Sequence, residues 1–179
     1  MDFQCEGRLR APVAVVYATL RDDLPRLVPF LANVSAITEL ERKPLGAGHT
    51  AVLNRWRADA GNVPAAVRPL LKPEMLEWLD HADWDDAGSH VDWWIEPPAF
   101  KNLYTCRGRN RIVARGDETA IEITGTLTLD PDKIPGVPGF VARRVAPAVE
   151  AYLLDRIKPN LAGLAAGVAG YLAAKIARP

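Results

Sequence analysis

The C-terminal segment constrains this chain more than any other stretch. From Phe140 onward Val141, Val145, Val149, Leu153, Ile157, Leu161, Leu164, Val168, Leu172 and Ile176 recur at helical spacing, while most of what precedes Pro131 reads as strands. A helix with one apolar face has to bury that face against another element, and antiparallel strands are the material at hand. The pattern predicts a sheet that wraps around one long helix and leaves room for a hollow between the two. Pro147 and Pro159 each remove a backbone hydrogen bond, so the helix is expected to kink along its apolar stripe.

The length of 179 residues is that of one domain, expected to span 1–179 and to bury a core without metal or disulfide staples. The 22 basic and 22 acidic side chains cancel and are mixed along the chain, which leaves no electrostatic footprint for nucleic acid or anionic membrane. Cys5 and Cys106 lie far apart, and the opening MDFQCEGRLR is charged where a secretory peptide is apolar. A reduced, cytoplasmic setting is the expectation. Residues 161–177 are apolar but rich in Ala and Gly and contain Lys175, which suits packing rather than stable membrane insertion. The Gly163 and Gly167 pair would let a helix approach its sheet closely. The composition says nothing of oligomeric state.

The strand region is legible from alternation and punctuation. Phe3, Cys5 and Leu9 alternate with polar residues in a first strand. Pro12 opens a helix carrying Val13, Val16, Tyr17 and Leu20, and Asp22 or Asp23 can cap a second short helix carrying Leu24, Leu27, Val28 and Leu31. Strands are expected at 34–42, 49–58, 75–84, 89–96, 102–115 and 118–130, joined by the turns Pro44 to Gly48, Asp86 to Gly88 and Arg115 to Asp117. Residues 59–73 break this rhythm between prolines and suggest helical turns inserted over a sheet edge or a cavity mouth. In the last two strands Arg107, Arg109 and Arg111 are expected opposite a row of Glu and Thr, with Asn110 on the inward set.

The order of strand, two short helices, about six further strands and a long terminal helix is that of the helix-grip fold. The run Ala11-Pro12-Val13-Ala14-Val15-Val16-Tyr17-Ala18-Thr19-Leu20-Arg21-Asp22 resembles the opening of the START-like superfamily, which includes Bet v 1-type proteins, polyketide cyclases and phospholipid-transfer domains. Gly116-Asp117-Glu118-Thr119, feeding a strand with Gly125, and the terminal helix add to the resemblance. It implies an α+β fold in which a curved antiparallel sheet of six to seven strands encloses a cavity for a hydrophobic or amphipathic molecule. It carries over no catalytic residue, and the tryptophan-rich centre and the 59–73 insert depart from the pattern.

Candidate site residues come from the centre of the chain. Trp56, Trp78, Trp84, Trp93 and Trp94 all fall in strands, where indoles can wall a ligand cavity or simply fill a core. Trp93 and Trp94 are adjacent, so they must point to opposite faces. On 78–84, Trp78, Asp80, Ala82 and Trp84 share one face. If that face is inward, Asp80 is a desolvated carboxyl suited to acid–base work or to binding a ligand hydroxyl; the alternative is a salt-bridged or solvent-facing Asp. Asn54, Tyr104 and Asn110 are further inward polar groups, able to orient a ligand or to serve a structural network.

His49, His81 and His90 lack metal-ligand spacing, and no metal or cofactor is expected. Cys106 reads as a small buried hydrophobe, and no nucleophile elbow, P-loop or dinucleotide fingerprint is present. The expected function is binding or transport of a lipid or polyketide-like molecule. The alternatives are a cyclase- or dehydratase-type enzyme using Asp80, and an interaction module with a filled core.

Overall fold

The computed structural model describes residues 1–59, 61, 73–100, 103–133 and 138–177. Seven strands form one antiparallel sheet: β1 (Asp2–Leu9), β2 (Val34–Gly46), β3 (His49–Ala58), β4 (Glu77–Asp85), β5 (His90–Glu96), β6 (Tyr104–Arg115) and β7 (Glu118–Leu129). Their spatial order is β1-β7-β6-β5-β4-β3-β2. Six strands thus follow each other as hairpins, and the first strand closes the far edge by pairing with the last. The register sets Arg107, Arg109 and Arg111 opposite Thr126, Thr124 and Glu122, as the alternation predicted.

Helix α1 (Val13–Asp22) follows β1. Pro12 stands just before it with extended backbone, and its carbonyl accepts from the amides of Val15 and Val16. Val16, Tyr17, Thr19 and Leu20 form the buried face. The second short helix is a 3₁₀ segment over Leu24–Phe30, consistent with prolines at 25 and 29. Asp23 holds the position before it but makes no side-chain cap there. Its carboxylate instead accepts from Arg26 at 3.0 Å and Tyr171 at 2.9 Å and lies 3.5 Å from Lys175, which fastens this segment to the terminal helix.

The C-terminal stripe does not behave as one helix with one buried face. The segment divides into α2 (Gly139–Ala162) and α3 (Leu164–Ile176), parted at Gly163, four residues after Pro159. In α2 the buried residues are Ala142, Ala146 and Leu154, whereas Val141, Val145 and Val149 are exposed. Alanine's small side chain lets the helix backbone settle near β7, and Glu150, on the same side, accepts from the Leu129 amide at 2.8 Å. The larger valines are therefore turned away. Further along, Val168 is buried, Leu161, Leu164 and Leu172 are half-buried, and Ile176 is exposed. The side chain of Leu153 and the insert at 62–72 lie outside the described residues.

Close approach rather than a wide apolar stripe holds α3. A Cβ on Gly7 of β1 would stand 2.7 Å from both the Ala162 carbonyl and the Ala165 methyl, and one on Gly167 would stand 2.6 Å from Leu31. Glycine at these two places admits backbone where any side chain would clash. Of the expected GxxxG pair, Gly167 serves close packing and Gly163 marks the break between helices. Among the described residues no helix is long and apolar enough to cross a membrane.

Candidate functional site

Every strand pair is antiparallel, and from β3 through β7 to β1 the register runs without a shift, so inward side chains line up in rows across that part of the sheet. One row runs Asn54, Asp80, Ile95, Cys106, Leu127. On one side of it Trp56 is paired with Trp78, and Tyr104 with Leu129. On the other side lies Val52, Ala82, Trp93, Gly108, Gly125, Phe3, and beyond that Thr50, Trp84, Val91, Asn110, Ile123, Cys5. All eight sequence-predicted site residues, Asn54, Trp56, Trp78, Asp80, Trp84, Trp93, Tyr104 and Asn110, fall on this one face. Trp94 points to the opposite face, 46% exposed, and stacks on His81 with ring centroids 3.6 Å apart.

The eight divide into two groups. Trp84 and Trp93 are buried core. Trp84 receives Tyr17 edge-on at 5.3 Å, and Tyr17 in turn donates to Asp86 at 2.9 Å. Trp93 donates its indole N–H to Asn110 Oδ1 at 2.7 Å and lies 6.5 Å from the Phe3 ring. Asn110 thus serves a structural partner. Gly108 and Gly125 make room for these rings, since a Cβ on either would collide with Trp93 or Phe3.

The second group is Asn54, Trp56, Trp78, Asp80 and Tyr104. Trp56 and Trp78 stack in near-parallel planes, 5.7 Å apart and 18° inclined. Both are half-buried, as are Tyr104 and Ile95. Asn54 is 2% exposed, yet among the described residues its Oδ1 has no hydrogen-bond partner, and neither has the buried Trp56 Nε1. A native protein rarely leaves buried polar atoms unpaired, because each one costs its full desolvation.

Asp80 sits between them. Burial pushes its carboxyl up to about 6, and the neighbouring Trp56 and Asn54 donors offset part of that rise. Trp56 Nε1 is near enough to stabilise the charge but not aligned as a hydrogen bond. Asp80 is half-buried on this face, and among the described residues it forms no salt bridge. Burial likewise pushes the Tyr104 hydroxyl up to about 12 and the Cys106 thiol up to about 11, which keeps both protonated at neutral pH. Cys106 is therefore a poor nucleophile. Sequence reasoning passed over Ile95 as a wall of this region, although its alternation with Trp93 on β5 carries the signal.

The outer face of the sheet also holds a broad open trough of about 1410 Å³. Among its polar side chains Arg109 donates to Asp92 at 2.6 Å through two nitrogens, and Lys43 lies 2.6 Å from Glu41. With no buried unpaired group among the described residues, it is a weaker candidate than the inner face despite its size.

No protein-family model and no curated protein sequence matches the chain. Among solved structures, TTHA0849 from Thermus thermophilus superposes with a TM-score of 0.69 at 20% identity, covering 98% of this chain and 99% of that one. The Zhui aromatase/cyclase from Streptomyces sp. R1128 gives 0.62 at 14%, covering 99% and 96%. Norcoclaurine synthase from Thalictrum flavum gives 0.55 at 13%, covering 97% and 86%. The chain shares the helix-grip fold of these structures, the fold expected from its sequence.

Proposed function

We propose that this chain binds a hydrophobic or amphipathic small molecule, of lipid or polyketide-like character, between the inner face of β3 to β6 and the terminal helices. The observation that carries this reading is the pair of buried polar atoms without a partner among the described residues, Asn54 Oδ1 and Trp56 Nε1, beside the desolvated Asp80 carboxyl and the half-buried Trp78, Ile95 and Tyr104. Apolar walls with a few convergent polar groups are the usual make-up of a ligand site. Trp84, Trp93 and Asn110 act as its closed floor. Several solved structures of this fold are named as aromatase/cyclases or synthases, which supports binding of organic molecules as a class and nothing finer.

A second reading, a cyclase- or dehydratase-type enzyme, is favoured by one observation. A carboxyl held near 6 populates both protonation states close to neutral pH, as an acid–base group needs. Native mass spectrometry of protein purified from its own host tests the first reading, with an expected one-to-one adduct that is lost in Trp78→Ala. Retention unchanged across Trp56, Trp78 and Trp84 variants would overturn it. Incubation with the identified ligand separates the two readings: a carrier returns it intact, whereas an enzyme converts it and Asp80→Asn stops conversion without stopping binding.

A further inference from the structure

We infer that the polar end of the ligand is a hydrogen-bond donor without negative charge, an alcohol, phenol or amine, and that carboxylate, phosphate and sulfate head groups are rejected. The inference rests on the ligand-binding reading above and specifies what that site selects. It follows from the groups left over at the centre of the inner face. Asn54 turns its amide nitrogen toward Asp80, because the reverse orientation would set oxygen against carboxylate oxygen. That leaves Asn54 Oδ1 as an unpaired acceptor.

The Asp80 oxygens are acceptors too, on a residue that is only half-buried. Asp80 has no ion-pair partner among the described residues. Around it on the same face stand Asn54 and Ile95 across the sheet, and Trp78 and Ala82 along its own strand. None of these carries a positive charge. The unmet capacity is therefore mostly acceptor, in a carboxylate without a counter-ion among the described residues, and the stacked Trp56 and Trp78 rings beside it present faces that also favour a cation or a polarised O–H. An anionic head would meet like charge in a desolvated place and would leave Asn54 Oδ1 still unpaired. An alcohol or ammonium satisfies both, and an alcohol's oxygen can in addition accept from Trp56 Nε1.

Three probes that share one ring system test this: 2-naphthol, 2-naphthylmethylamine and 2-naphthoate, titrated calorimetrically into the full chain at pH 7.5. The expected result is that the alcohol and the amine each bind about tenfold or more tighter than the carboxylate, in line with the cost of an unpaired buried acceptor. In Asp80→Asn the gap should narrow to roughly threefold or less, because the repelling charge is gone. Carboxylate binding as tight as the other two in the unaltered protein overturns the inference and leaves the site standing. Failure of all three to bind overturns the ligand site, and the inference falls with it. A gap that persists undiminished in a folded Asp80→Asn variant refutes Asp80 as the source of the selection.

Discussion

The inner face of the sheet has two halves built from the same residue types and arranged to opposite ends. In one half Trp84 and Trp93 are buried, Tyr17 closes over Trp84, and the one inward amide, Asn110, is taken by the Trp93 indole. In the other half Trp56 and Trp78 stack against each other but stay half-buried, and the inward amide, Asn54, has no partner for its oxygen. Tryptophan and asparagine therefore do not by themselves announce a binding site. What separates core from candidate site is whether the polar atoms are paired and whether a helix closes over the rings. Helix α1 brings Tyr17 to the first half and fills it, tied down through Asp86.

The largest test of this contrast is Trp84→Ala against Trp78→Ala. Removing a fully buried ring leaves a void, so Trp84→Ala should lower unfolding free energy by about 3–5 kcal/mol in denaturant titration. Trp78→Ala should cost less than about half of that while producing the larger loss of ligand. Equal stability costs would erase the distinction between floor and wall.

Next in size is Asp80→Asn. With a folded-state value near 6 against an ordinary 3.8, the folded protein holds its proton more tightly than the unfolded chain. Asp80 therefore imposes no penalty below pH 4, a growing one as pH rises from about 4 to 6, and a full one of about 3 kcal/mol above that. The variant should be more stable than the parent by up to that amount at pH 7.5 and by almost nothing at pH 4. A difference independent of pH would show that Asp80 is not desolvated.

Gly7→Ala should cost about 1–3 kcal/mol, because its methyl would press on the Ala162 carbonyl and the Ala165 methyl and lift the helix from β1. A thermal melt reads it; an unchanged midpoint would mean the helix shifts freely. The smallest effect is expected from Asn110→Ala. It strands the Trp93 N–H and should cost about 1–2 kcal/mol in denaturant titration. No loss at Asn110 would mean that its amide is not structural, and the contrast between the two halves would fail at that point.

Much of this was legible in advance because a strand has only two faces. Alternation within single strands grouped Asn54 with Trp56, and Trp78 with Asp80 and Trp84, and required Trp93 and Trp94 to part, while punctuation located the turns Pro44 to Gly48, Asp86 to Gly88 and Arg115 to Asp117. The terminal helix was harder. Its strongest apolar residues, Val141, Val145 and Val149, suggested the buried face, but small alanines one position along took it because they permit closer packing. Hydrophobicity reports what a helix can bury, and close fit decides what it does bury.

The sequence by itself determined the element order, the tight turns and which residues alternate together along each strand, since these follow from local periodicity and turn chemistry along a single chain. Only the tertiary structure decided the register across the sheet, that Asn110 is satisfied, and that among the described residues Asn54 Oδ1 lacks a partner and the desolvated Asp80 a counter-ion. Those states are set by groups far away in sequence, as with Tyr17 over Trp84, and no local pattern encodes which distant atom will arrive within hydrogen-bond reach.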